Sequence, residues 1–109
     1  MSMSITDKTM EKVISVLRNY RGEKHSIPAE LIAKRAGIFE SHATCVTTRK
    51  IIKEIKSRGI LPIGSNSNGF FVIITEDEMR KYTYGLVRRM KGIQANIDAT
   101  HRAFYGGKY

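Results

Sequence analysis

The stretch from Ser26 to Ile74 constrains the fold more than any other part of this chain. Pro28 opens a short helical pattern that Gly37 ends, with Leu31, Ile32 and Ala36 toward a core and Ala33 allowing close helix approach. A longer basic pattern comes next, roughly Ser41 to Arg58, and stops at Gly59. Then come Leu61-Pro62-Ile63, the polar run Gly64-Ser65-Asn66-Ser67-Asn68-Gly69, and the β-branched and aromatic run Phe70-Phe71-Val72-Ile73-Ile74. Proline suits a helix start because its missing N–H would be unpaired there anyway, and glycine suits a helix stop because it takes left-handed angles freely. Asn68-Gly69 tolerates positive φ and marks a hairpin turn. Pro62 cannot donate to a ladder, so its strand is predicted at a sheet edge. The order is helix, turn, basic helix, hairpin.

Helices are predicted on both sides of this stretch. Thr6 or Asp7 caps a first helix whose apolar positions Met10, Val13, Ile14, Leu17 and Tyr20 form one stripe, ended by Gly22. His25-Ser26-Ile27 adds a small strand. The third helix, capped by Ser41 or Glu40, buries Cys45, Thr48, Ile52 and Ile55 with Ile51 alongside. Thr75-Glu76-Asp77-Glu78 reads as a capping box, and three acids in a first turn suit the helix dipole. The last helix carries apolar residues from Met79 to Phe104, and Gly106-Gly107 reads as a frayed tail. At about 29 residues it spans roughly 43 Å, too long to be covered by so small a domain. Residues 1–75 are therefore expected as one domain, and residues 76–109 as an appended helix.

Charge narrows the partner. The chain has 19 Lys and Arg against 10 Asp and Glu in 109 residues, a formal net charge of +9. Such a balance favours a polyanion, either nucleic acid or an acidic protein. Residues 41–58 hold five basic side chains and one acid, Glu54, whereas a plain solvated helix face is usually mixed in sign. The single cysteine, Cys45, permits no internal disulfide and suits a reducing cytoplasm. No apolar run reaches membrane-span length, and Met1-Ser2-Met3-Ser4 lacks the layout of a signal peptide.

From Ile27 to Ile74 the chain resembles winged helix-turn-helix DNA-binding domains. The residues that carry this are Ile27, Ile32-Ala33, Ala36-Gly37-Ile38, Ile52 and Ile55 ahead of Gly59-Ile60, then Pro62-Ile63, Ser65 and Gly69-Phe70-Phe71. The hairpin and the helix after it resemble small phage-encoded winged-helix proteins, whose wing precedes a long C-terminal helix. The resemblance implies a mainly α fold with a small β-hairpin, a winged helix-turn-helix plus a long C-terminal helix. It also implies DNA binding in transcription or replication control, in a phage or prokaryote. Two departures stand out: the chain runs longer between Gly37 and Ile52 than in compact members, and the wing tip from Gly64 to Gly69 has no Lys or Arg.

On this reading the third helix enters the major groove of double-stranded DNA. Thr47, Arg49, Lys50, Lys53 and Lys56 face the bases, and Ser41, His42 and Thr44 contact bases or phosphate near the helix start. Lys24, Lys34 and Arg35 lie near phosphates, and Ser65, Asn66 and Asn68 supply the wing. In the last helix Gly85, Gly92 and Ala99 recur every seven residues beside Leu86, Ile93 and Thr100. A helical glycine costs about 1 kcal/mol relative to alanine, so two of them suggest close approach to another helix. A homodimer through Gly85, Leu86, Gly92, Ile93, Ile97 and Ala99 is expected; the alternative is a helix kinked at its glycines and folded back. His25, His42 and His101 share no metal-ligand spacing with Cys45, and Glu76, Asp77 and Glu78 read as helix-start acids. No metal, cofactor or enzymatic activity is expected. The rival function is a protein-interaction module, a basic winged helix docking on an acidic or host protein.

Overall fold

The structure, a computed structural model, describes residues 7–39 and 45–107. Helix α1 spans Asp7–Leu17 and buries Met10, Val13 and Leu17 at helical spacing. It stops five residues short of Gly22, because Asn19 and Tyr20 turn their N–H groups to the carbonyls of Val16 and Leu17. A 3-10 turn, Glu23–His25, leads to α2, Ala29–Ala36. Pro28 sits one place before that helix rather than in it, with its carbonyl accepting from Leu31 and Ile32. Gly37 closes α2 in the left-handed conformation, its N–H on Lys34 and the Ile38 N–H on Ala33. These are the two bonds of a Schellman cap.

Helix α3 spans Val46–Ser57, so it starts later than a Ser41 cap would place it. Cys45 precedes it at φ 50° and ψ 53°, the left-handed region, which cannot continue a right-handed helix. The Cys45 side chain is buried while Val46 already faces outward. The expected caps Glu40 and Ser41 lie outside the described residues. The inner face of α3 is Thr48, Ile51, Ile52 and Ile55, all buried, as the spacing predicts.

The hairpin is β1, Ile63–Asn66, antiparallel to β2, Gly69–Val72. The expected six-residue tip is a correction: Gly64 pairs with Phe71 and Asn66 with Gly69, leaving only Ser67-Asn68 as the turn. Asn66 Oδ1 accepts the Asn68 N–H at 2.9 Å and closes that turn. Of Asn68 and Gly69, only Gly69 takes positive φ, at 131°. β2 is flanked on its other side as well. Val72 donates to the Tyr20 carbonyl and accepts from the Gly22 N–H, and Phe70 and Ile27 exchange both backbone bonds, all at 2.8 Å. The strand expected at Ile27 is thus a single bridge, and β1, next to Pro62, is the edge.

One core joins these elements: Met10, Val13 and Leu17 from α1, Ile27, Ile32 and Ala36, then Ile51, Ile52 and Ile55 from α3, and Ile63 and Val72 from the hairpin. Helix α4, Glu76–Gly106, contributes no buried residue. The Thr75 hydroxyl caps it by accepting the Glu78 N–H at 3.1 Å. Glu78 itself ties α4 to the domain, its two carboxylate oxygens accepting the N–H groups of Ile74 and Glu23, each at 2.9 Å. Those two bonds, Ile74 first, hold its carboxyl below the usual carboxylate range. From Arg88 to Gly107 every residue is exposed. The helix neither breaks at Gly85 or Gly92 nor folds back, and its end does not fray at Gly106 but is capped by Gly107 at φ 62°. The molecule is mainly helical with one small hairpin and a long last helix, an arrangement compatible with a winged-helix-like fold. Among the described residues no helix is long and apolar enough to cross a membrane.

Candidate nucleic-acid interface

With one side of α3 committed to the core, its outward side is fixed by helical geometry. Val46, Lys50, Lys53 and Ser57 recur at i, i+4, i+7 and i+11, share one stripe, and are all exposed. Arg49 and Lys56 flank this stripe on one side and are oriented by aromatic rings. The Arg49 guanidinium lies 5.8 Å from the Phe70 ring centroid, and the Lys56 ammonium 5.0 Å from that of Tyr82. On the other flank Glu54 binds Arg58 at 2.7 Å, and Arg58 reaches Met10 Sδ of α1 at 3.9 Å. The one acid of α3 is therefore matched by the residue that follows the helix.

The residues expected to form one face divide into groups. Lys50 and Lys53 are its centre. Half-buried Thr47 and exposed Lys56 fall on opposite flanks at 3.6 residues per turn. Arg49 meets Ser65, Ser67 and Asn68 of the hairpin across a shallow cleft that Pro28 and Ala29 close at the start of α2. Asn66 lines the same cleft, but its amide already donates to the Glu23 carbonyl at 3.0 Å while its oxygen holds the turn. Its side chain fixes the hairpin's shape. Lys34 is exposed on α2. Arg35 turns the other way, over the Tyr20 ring at 5.5 Å and beside Lys8 and Lys12 of α1. Lys24 is exposed in the 3-10 turn. Ser41, His42 and Thr44 lie outside the described residues.

Val46 and Ser57 join the candidate surface only through the structure. Val46 and Ser57 carry no charge to attract notice, although the stripe through Lys50 and Lys53 passes through both. Ser67 sits in the two-residue turn of the hairpin. The residues expected at a dimer interface form a second surface, on α4. Gly85 and Leu86 border the groove between α4 and the hairpin, while Gly92, Ile93, Ile97 and Ala99 stand clear of the domain. Comparison with protein-family models, with curated proteins and with solved structures returned no match. The functional reading therefore stands on charge, geometry and the order of elements.

Proposed function

We propose that this chain binds double-stranded DNA through α3, with the hairpin alongside, and acts by occupancy rather than catalysis. The observation that carries the reading is the outward stripe Val46, Lys50, Lys53 and Ser57, cationic at its centre and free of acids. An α-helix fits the major groove, where lysine reaches guanine edges or phosphates and an apolar side chain such as Val46 suits a thymine methyl. Arg49, beside the hairpin cleft, sits where a helix in the groove brings the adjacent backbone. The uncharged wing contributes hydroxyls, amides and shape. On the resemblance to small phage-encoded winged-helix proteins, the role is that of a phage or prokaryotic regulator of transcription or replication, working in the cytoplasm.

The test is binding to random duplex DNA across a salt series. Affinity should fall steeply as salt rises, because cations on the protein release counterions from phosphates. Lys50→Ala and Lys53→Ala should each lower that slope by about one where the side chain meets a phosphate, and Arg49→Ala should cost roughly 1–3 kcal/mol where it reads a base. Absence of binding at low salt overturns the proposal. One observation favours the second reading, docking on an acidic protein. The wing tip carries no Lys or Arg, and the Asn66 side chain is occupied within the fold. That reading predicts no duplex binding at any salt and loss of an acidic partner on the same Lys50 and Lys53 substitutions.

A further inference from the structure

We infer that α4 pairs with a second copy of this chain as an antiparallel two-helix coil, centred between Met90 and Ile93. Starting at Met79, steps of four and three alternate without interruption: Met79, Thr83, Leu86, Met90, Ile93, Ile97, Thr100, Phe104. Such a repeat places all eight on one seam of a helix. Every one of them is exposed, Leu86 at 41% and Met90 at 64%. The side of α4 that faces the domain is held through Glu78, Lys81 and Tyr82 and meets the seam at Leu86, which borders the groove to the hairpin. From Met90 to Phe104 every seam residue stands clear of the domain. A solvated helix of this length with two internal glycines lacks the packing from which most helical stability derives.

The seam's own sequence selects the occupant. Run antiparallel against itself, it matches Met79 with the second copy's Phe104, Thr83 with Thr100, Leu86 with Ile97, and Met90 with Ile93. Every apolar residue meets an apolar one, and the only two polar positions meet each other. Charge selects the direction. Antiparallel pairing lays the acidic turn Glu76, Asp77 and Glu78 beside residues 105–107 at the second copy's C-terminal end, and aligns the helix dipoles favourably. It also sets the basic cluster Arg88, Arg89 and Lys91 at the level of Gly92, Gln94 and Ala95. A parallel pair would stack each cluster on its own copy. Gly85, Gly92 and Ala99 repeat at heptad steps from Glu78, so they lie about 100° round the helix from the seam, on the side that Glu78 turns toward the domain, and take no part in this pairing. This pairing does not depend on whether α3 reads DNA.

The test is sedimentation of the full chain at micromolar concentration, followed by directional cross-linking. The chain should sediment as a dimer, and Ile93→Asp should make it a monomer while the unfolding transition of the domain stays in place. For direction, a Thr83→Cys chain is mixed with a Thr100→Cys chain, both carrying Cys45→Ala, and oxidised mildly. Antiparallel pairing gives the mixed 83–100 disulfide. Self-disulfides alone, a monomer throughout the concentration range, or an Ile93→Asp chain that remains dimeric would each overturn the inference, whatever the DNA result.

Discussion

Gly69 is where two backbone segments come closest. Its φ is 131°, and a Cβ there would overlap the Ile27 carbonyl oxygen and lie 2.6 Å from the Pro28 nitrogen. Backbone cannot yield as the tip of a side chain can, so Gly69→Ala should destabilise the domain by about 2–4 kcal/mol in a thermal or urea melt. The sequence marks Gly69 as a turn residue; the structure assigns it a second duty, as a contact surface for the distant segment at Ile27 and Pro28. Glu78 carries a prediction in pH. Its carboxyl is held below the usual range by the N–H groups of Ile74 and Glu23, so the charged form is the one the folded state prefers. The stabilisation is full above the ordinary glutamate pKa and is lost as pH falls through the lowered one. Protection of the Ile74 and Glu23 amides, relative to their intrinsic exchange rates at each pH, should therefore fall in acid. The same amides in Glu78→Gln should exchange faster at neutral pH, with the two proteins converging at low pH. A capping box is readable at Thr75 and Glu78; the reach of Glu78 to Glu23 is not, because nothing local encodes a bond between an early 3-10 turn and the last helix of the chain.

At the scale of elements, the inner faces of the helices come directly from spacing. Met10, Val13 and Leu17, then Ile32 and Ala36, then Thr48, Ile52 and Ile55 all recur at helical intervals and are all buried. Helix limits are less legible. Cys45 starts α3 in a left-handed conformation without being Gly or Asn, because it turns a thiol into the core as the next residue turns out. No local signal marks that trade. The hairpin is tighter than its composition suggests, since Gly64 and Asn66 are turn formers by type but stand opposite Phe71 and Gly69 in the ladder. The candidate interface shows the same division. Lys50 and Lys53 are evident from the spacing, whereas the cleft of Arg49 with Ser65 and Ser67 needs the chain folded. α4 is the element whose stability is most exposed to test. Thr75→Ala should lower it by about 1 kcal/mol through loss of the cap. Amides beyond Arg89 should be well protected in the unaltered chain and exchange rapidly in Ile93→Asp, because the seam is then uncovered.

At the scale of the whole molecule, the proposed antiparallel coil would set two domains at opposite ends of one rod. Met79 to Phe104 spans about 38 Å at 1.5 Å per residue. One turn of B-DNA is about 34–36 Å, so half-sites one turn apart on the same side of the duplex should bind the dimer best. A footprint of two patches at that spacing checks this, and a single patch would remove the link between pairing and reading. The long helix is plain in the sequence; what it does to the spacing of two domains becomes visible only with its free seam and its docking side both fixed. The flanked strand β2 bears on a different matter, the order in which the protein is made. Val72 bonds to Tyr20 and Gly22, and Phe70 to Ile27, so the segment from Tyr20 to Ile27 cannot complete its backbone bonding until the hairpin exists. During synthesis α1 and α2 must emerge as an unfinished fold and wait. The last core residue, Val72, precedes α4 in the chain, so a chain emerging from its N-terminus holds every core residue before the helix proposed to pair is free.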